Sequence, residues 1–397
     1  MTNSKIIYVF DGSLEPNVLI GTLECHLVRG EEVYSFSYDR DYLANSNNHC
    51  FIDPYIYQFL GKQYHPSGSL FGIFTDSCPD RWGRLLIQRR EKNNSRLLES
   101  DYLLLVSDYL RMGSLRYKLD LNGDYLMGGL SKDVPPLNRL SELENASLML
   151  EDNFEEKWID ILFSPGSSLG GARPKSNVID NDGDLWIAKF PSKSDLYDVS
   201  KWEMICHDLA KLCDIDVPDA SLKTLSKYGS TYLSKRFDRN KEIRIPFISI
   251  LSLLGKRDGD HGSYLEVASL IRKWSKDITK DLHELFKRII FTILVNNTDN
   301  HLRNMGMIYQ EGWSLSPMYD VNPHPYFSSF ATDINNELSL SSLLSNSEYF
   351  LLKKDEAEEM INHLSSIIND NWIKIANKYS VNKEEIEMMN KVFERKK

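Results

Sequence analysis

The densest group of side chains able to do chemistry is VNNTDNHLRN, residues 295–304. It follows the apolar run KRIIFTILV, so a buried helix is expected to deliver the chain into a polar loop there. Asp299 and Asn304 stand five positions apart. A carboxylate in such a loop can orient a hydroxyl and take its proton, while an amide oxygen a few residues on reaches a cation beside a phosphate. Sixteen residues beyond Asn304, WSLSPMYDVNPHP places Asp320 after a strand-like stretch and before a proline-rich loop. Magnesium prefers hard oxygen donors and keeps several waters, so one carboxylate, one amide oxygen and phosphate oxygens suffice to hold it. Asp320 also suits a plain turn, and an Asp and an Asn five apart arise often by chance.

Upstream, Lys189 lies inside the apolar strand-like segment DLWIAKF, where an ammonium is costly unless it meets a charge. Fourteen residues on, the helix-like SKWEMICHDLAKL offers Glu203. Before that strand, SPGSSLGGARPKSNV (164–178) is rich in small residues whose amides can cradle an anion, with Arg173 and Lys175 adding charge. It is not a Walker A loop, and it lacks the glycine spacing of the kinase loop. Taken singly, each feature also has a plain structural reading: hairpin loop, snorkelling lysine, exposed helix carboxylate. Their order is loop, strand lysine, helix glutamate, strand (YLSKRFDR), Asp-x4-Asn, Asp. Protein kinases present their ATP machinery in that order, and the chemistry indicated is phosphoryl transfer.

The elements that must position these groups fall into a β-rich part and a helical part. KIIYVFDG, VLIGTLECHL and EEVYSFSYD read as short strands of a small antiparallel sheet. PDRWGRLLIQRREK, DYLLLVSDYL and LNRLSELENASLML read as helices, with loop and one short strand over 111–136. From about 245 the chain reads as mainly helical, interrupted by an irregular stretch at 296–336. The expected class is α+β, a two-lobed protein-kinase-like fold with a β-rich N-terminal lobe and a mainly helical C-terminal lobe. The expected divisions are 1–150, an N-terminal subdomain; 151–245, the ATP-binding part; and 246–397, the helical lobe with the catalytic loop.

The 397 residues suffice for two or three cores. A net charge of −10 argues against a surface built wholly for nucleic acid. Five scattered cysteines without a C-x-x-C pair suit free thiols in a reducing cytosol, and MTNSKIIYVFDG lacks the marks of a signal peptide. The longest apolar stretch, Ile289–Val295, is far too short to span a bilayer, so a cytoplasmic protein is expected. His65, His261 and His324 stand apart without zinc-site spacing and read as ordinary histidines. Trp274 and Trp313 read as core, and the charged C-terminal segments as amphipathic covering helices.

SSLGGARPKS, WIAKFP, KRFDR, NNTDNHLRNMG and LSPMYDV resemble, in order, the motifs of the HipA kinases, the toxin halves of bacterial toxin–antitoxin pairs. SYDRDYL, PDRWGRLLIQRR and DYLRMGSLRY extend the resemblance towards the N-terminus. It implies a serine/threonine protein kinase using ATP and magnesium. Asp299 would be catalytic, and Asn304 and Asp320 would hold the metal. Gly170, Gly171, Ala172, Arg173, Pro174 and Lys175 would cover the phosphates, and Lys189 would bind them, supported by Glu203. Lys235, Arg236 and Phe237 would form the hinge meeting adenine by backbone hydrogen bonds, with His301 and Tyr319 lining the nucleotide site. Ser168 matches a serine that family members autophosphorylate to silence themselves, and Ser167 is its neighbour. The implied partners are a protein acceptor with a Ser or Thr hydroxyl, aminoacyl-tRNA synthetases being the family's better-understood targets, and a small helix-turn-helix antitoxin through which DNA is met indirectly. No membrane is implied. Two other readings are a small-molecule phosphotransferase and a non-catalytic corepressor binding a DNA-binding antitoxin. Asn297 and Asn300 carry no role in the resemblance.

Overall fold

The structure, a computed structural model, describes residues 4–45, 51–91, 96–127, 133–152, 156–166, 173–326, 329–334 and 337–394. Gly170, Gly171, Ala172, Ser167 and Ser168 lie outside the described residues. The chain forms two compact units. The first comprises Met1–Ser192, Lys235–Arg257 and Ile308–Gln310; the second Lys193–Ser234, Asp258–Met307 and Glu311–Lys397.

In the first unit, β1 (Ser4–Asp11), β2 (Val18–Val28) and β3 (Glu31–Tyr38) form an antiparallel meander, edged by β4 (Gln63–Tyr64) beyond β3 and β5 (Leu115–Lys118) beyond β1. Alternation puts Ile7, Val9, Leu23 and Phe36 on the buried face. Gly21 in β2 is required: a Cβ there would fall on the carbonyl oxygen of Ser37 in β3. Phe36, Phe51 and Phe74 pack ring on ring at 5.3–5.9 Å, and this aromatic cluster is the centre of the core. Short helices α1 (Arg40–Ala44) and α2 (Gly72–Thr75) are followed by α3 (Arg81–Arg90), whose N-cap is Asp80, so Pro79 precedes the cap rather than standing at the first helical position. DYLLLVSDYL departs from expectation. Its helix, α4 (Glu99–Leu104), stops early, and Val106 and Leu110 are buried in turns instead. α5 (Leu140–Asp152) fits its 3.6-residue pattern, whereas α6 (Glu156–Gly166), burying Ile159, Leu162 and Phe163, was not anticipated. The hairpin of β6 (Lys175–Ile179) and β7 (Leu185–Lys189) closes this part.

The segment Lys235–Arg257, with β10 (Arg239–Asn240), β11 (Ile243–Arg244), β12 (Phe247–Ser249) and α8 (Ile250–Leu253), is bonded into the first unit by charge. Asp238 is fully buried and takes Arg236 (2.8 and 2.7 Å), Arg239 (2.7 Å) and the amide of Gly113 (2.8 Å). Burial opposes its ionisation, but the two guanidinium groups outweigh it and hold the carboxyl well below the usual range. Asp108 binds Arg116 (2.7 Å) and Arg244 (3.0 Å) in the same way.

In the second unit, α7 (Val199–Leu212) precedes the hairpin of β8 (Ala220–Ser226) and β9 (Gly229–Lys235). α9 (Tyr264–Trp274) and α12 (Lys354–Lys378) pack on α10 (Ile278–Leu294), and α12 also packs on α7. β13 (Gly262–Ser263) pairs in parallel with β16 (Thr332–Asp333). Between them along the chain lie β14 (Gly306–Tyr309) and β15 (Trp313–Leu315); α11 (Leu340–Ser345) and α13 (Lys383–Phe393) complete the unit. Among the described residues no helix is long and apolar enough to cross a membrane.

Candidate functional site

The last turns of α10 bury Ile289, Ile290, Phe291, Ile293 and Leu294, and Val295 closes the helix with its amide on Phe291 O (2.9 Å). Asn296 then takes a left-handed backbone (φ 53°), a conformation asparagine tolerates better than most residues. Its side-chain Nδ2 donates to His324 O (2.6 Å), and the His324 amide donates to Asn296 O (3.1 Å). The loop is thereby clamped to the segment that follows Asp320. Asn300 Nδ2 donates to the Tyr264 hydroxyl (2.8 Å), while Asn300 O accepts the Thr332 hydroxyl (2.7 Å) and Thr298 O accepts the Ala331 amide (2.9 Å). Every residue from Asn296 to Asn300 except Asp299 is buried. Asp299 is exposed, between two neighbours whose backbone oxygens are tied down.

Asn304 turns back on this loop. Its amide donates to His301 O (2.8 Å) and its Nδ2 to Asp299 O (3.2 Å), which leaves Oδ1 as the acceptor end of the side chain. Tyr319 spends its hydroxyl on Arg303 O (2.8 Å), fastening the residue before Asp320 to the same turn, and Arg303 is held by both oxygens of Asp258 at 2.9 Å. Asp320 itself has φ 58°, a backbone conformation that costs roughly 1 kcal/mol or more for a residue with a Cβ. Surroundings that hold an aspartate there fix where its carboxylate points. His301 is exposed.

Two rings, His324 half-buried and Tyr232 buried, report how the acids are arranged. Burial pulls the His324 imidazole below its ordinary value, and the charges of Asp299 and Asp320 both work in the opposite sense. Burial pushes the Tyr232 phenol far up, with Glu203 and Asp320 adding to the rise. Glu203, on α7, is 4% exposed. Asp299 and Asp320 therefore act on one histidine, and Asp320 and Glu203 on one tyrosine. From the sequence His324 reads as an ordinary histidine and Tyr232 attracts no notice, since Tyr232 lies far along the chain from Asp320 and His324 far from Asp299. The short spacing of His324 from Asp320 in PMYDVNPHP is the available signal.

The remaining predicted residues belong to the first unit. Lys175 and Lys189 are directly opposite each other in the β6–β7 hairpin, both buried. Directly paired side chains lie on one face of a hairpin, so the two ammonium groups share a side. Pro174 O accepts the Phe190 amide (3.0 Å), and the Arg173 guanidinium donates to Phe190 O (3.4 Å), which secures the end of the loop that precedes β6. Lys235 reaches Asp184 (2.6 Å). Arg236 donates its amide to Leu185 O (2.8 Å), and its side chain is committed to Asp238, Asn177 and the carbonyls of Leu110 and Arg111. The ring of Phe237 packs 5.9 Å from that of Phe247.

The model of the HipA-like C-terminal domain matches residues 167–372, more than half of the chain. This protein belongs to that family. A Sinorhizobium fredii protein named "Putative kinase Y4dM" is 27% identical over 39% of this chain and 44% of its own length. A Haemophilus influenzae protein named "Putative kinase" is 27% identical over 40% of this chain and 54% of its own. The chain thus spans about half the length of the curated relatives it matches. Among solved structures, a chain of the Shewanella oneidensis toxin–antitoxin complex of HipA, HipB and operator DNA superposes with a TM-score of 0.69 at 16% identity. The superposition covers 98% of this chain and 95% of that one. At that identity the likeness speaks for the fold, and it agrees with the α+β, kinase-like class expected from the sequence. The HipA-like match covers Lys175, Lys189, Glu203, Asp299, Asn304 and Asp320.

Proposed function

We propose that this HipA-family protein is an ATP-dependent serine/threonine protein kinase with Asp299 as its catalytic carboxylate. The observation that carries the reading is the build of the 296–304 loop. An exposed carboxylate stands on a backbone clamped by Asn296 and Asn300, and Asn304 is folded back beside it. Such rigidity suits a group that must meet a hydroxyl at a fixed distance and angle.

Asp299 orients the acceptor hydroxyl and takes its proton as the oxygen attacks phosphorus. Asn304 Oδ1 and Asp320 are the residues that would hold magnesium. Among the described residues no group of three or more His, Cys, Asp or Glu is placed to hold a metal. One carboxylate with one amide oxygen suits a cation that completes its shell from phosphates and water. When bound, magnesium-ATP supplies the transferable phosphoryl group and neutralises charge on it. The paired Lys175 and Lys189 offer two positive charges on one face to a polyphosphate, and Glu203 is the proposed supporting carboxylate. Lys235 to Phe237 are proposed to meet adenine through the backbone, though the Arg236 amide is already used within the fold and its side chain acts structurally.

A helix-turn-helix antitoxin is the proposed partner, supported by the HipB and operator DNA in the Shewanella oneidensis complex. Ser168 is the proposed site of silencing autophosphorylation. Among the described residues Cys25, Cys78, Cys206 and Cys213 form no disulfide, which is in keeping with the proposed reducing, cytoplasmic setting. The test is phosphoryl transfer from labelled ATP to a host lysate and to the protein itself, followed by phosphosite mapping. Asp299→Asn is expected to lower transfer by about a thousandfold while leaving ATP affinity and melting temperature in place. Near wild-type turnover in that variant would remove Asp299 from the chemistry.

A further inference from the structure

The helix that carries Glu203 is gripped by the C-terminal helix. α13 opens on Asn382, whose Oδ1 accepts the Glu385 amide (2.8 Å) and whose Nδ2 donates to Glu385 Oε1 (2.8 Å). The carboxylate is thus held in one orientation, and its second oxygen, Oε2, accepts the indole Nε1–H of Trp202 at 2.9 Å. Trp202 is fully buried and immediately precedes Glu203. Its ring stacks on Phe393 (centroids 6.3 Å apart), which stacks on Trp372 of α12 (4.7 Å). At the other end of α7, Asp208 accepts from Lys378 and from the Tyr379 hydroxyl, both at 2.8 Å. Met388 of α13 also accepts the hydroxyl of Tyr326 (3.2 Å), in the segment that continues from Asp320 and His324.

Adjacent residues on a helix project about 100° apart, so fixing the Trp202 ring fixes the direction of Glu203. A carboxylate about 6 Å from the axis moves about 2 Å when its helix rotates by about 20°, enough to break a hydrogen-bonded ion pair. The aromatic stack holds α7 down but tolerates such rotation, because ring contacts are weakly directional. The Nε1–Oε2 bond does not tolerate it. We infer that Glu385 and Trp202 are positioning residues, through which the C-terminal helix sets the rotation of α7 and so the direction of the Glu203 carboxylate. α13 therefore does more than cover the core, and through Met388 it touches the Asp320 segment as well. This inference rests on the kinase reading and on the role given there to Glu203.

The experiment measures kcat and KM for magnesium-ATP together with the melting temperature. The proteins compared are wild type, Glu385→Ala, Glu385→Gln, Trp202→Phe and Glu203→Gln, with Glu385→Ala also placed in the Glu203→Gln background. Glu385→Ala and Trp202→Phe are each expected to lower kcat/KM about tenfold, with the melting temperature lowered modestly and more in Trp202→Phe, which leaves a void beside Phe393. Glu385→Gln, which keeps an acceptor oxygen, should restore most of the loss. In the Glu203→Gln background, Glu385→Ala should cost nothing further, because its effect passes through Glu203. A full tenfold loss in that background, or wild-type kcat/KM in both Glu385→Ala and Trp202→Phe, would overturn the inference while leaving the kinase reading intact. If Glu385→Ala fails to fold, Trp202→Phe and Glu385→Gln still decide the matter. A wild-type protein that transfers no phosphate to any acceptor would remove both.

Discussion

The Asp238 network of the first unit and the Asp299 loop of the second are both crowded with polar groups, yet they use them in opposite ways. Asp238 is wholly buried, meets two guanidinium groups and an amide, and has no accessible surface left for chemistry. Around Asp299, Asn296 and Asn300 are buried, spending their amides on His324 O and the Tyr264 hydroxyl, and the carboxylate itself faces out. Asp53 is a third type: buried, accepting backbone amides such as those of Tyr55 (2.9 Å) and Ile73 (3.0 Å), and pushed up to about 7 by burial. The contrast teaches that a carboxylate's partners, more than its residue type, decide whether it holds the fold together or remains available to a substrate.

The sharpest way to break this comparison is Asp238→Asn. Removing one partner of a buried charge cluster leaves Arg236 and Arg239 uncompensated, and the expected loss is about 3–5 kcal/mol in urea unfolding. A loss below about 1 kcal/mol would mean the network is not what binds Lys235–Arg257 into its unit. Asp53 separates a buried carboxylate met by cations from one met by backbone amides. Its folded-state value lies above the ordinary 3.8, so the stability it contributes is full below about pH 4 and is lost as pH rises towards 7. Unfolding free energy should therefore fall over that window, by at most about 1.4 kcal/mol per pH unit from this group, and Asp53→Asn should flatten the slope. An unchanged slope would place the titration elsewhere.

Asp320→Ala tests the half-buried carboxylate of the candidate site. It is expected to weaken ATP binding about tenfold in the presence of magnesium and hardly at all in its absence, as read by calorimetry. Equal losses under both conditions would make Asp320 a structural residue. The smallest effect belongs to the clamp. Asn296→Gly keeps the left-handed backbone and loses the side chain with its bond to His324 O, for a cost of about 1 kcal/mol, while Asn296→Ala adds about 1 kcal/mol of backbone strain. If both variants lower kcat more than they lower stability, the clamp serves Asp299; if Gly and Ala behave alike, backbone conformation at 296 is irrelevant.

Legibility in the sequence followed locality. The strands of the meander, α3, α5, α7, β7 and α10 were readable because each buries one face and shows it as a period of two or 3.6 residues. DYLLLVSDYL shows the limit. Its apolar density suggested a helix, but Val106 and Leu110 are buried by turns that no periodicity announces. α6 was hidden because the glycine- and serine-rich stretch after it drew the reading towards a loop. In the site, the Asp-x4-Asn spacing singled out the 295–304 loop, and the structure adds what surrounds it: His324 among the acids, Tyr264 under Asn300, Glu385 behind Trp202.

By itself, then, the sequence determined which residues are chemically able and the order in which they occur, because reactivity belongs to side-chain type and hydrophobic period to the local backbone. Tertiary structure alone decided which of several similar aspartates is spent and which is exposed. Asp238, Asp53, Asp299 and Asp320 look alike in one dimension. They part company only when partners up to 125 residues away, such as Gly113 beside Asp238, supply or withhold the charge and hydrogen bonds that set each carboxylate's energy.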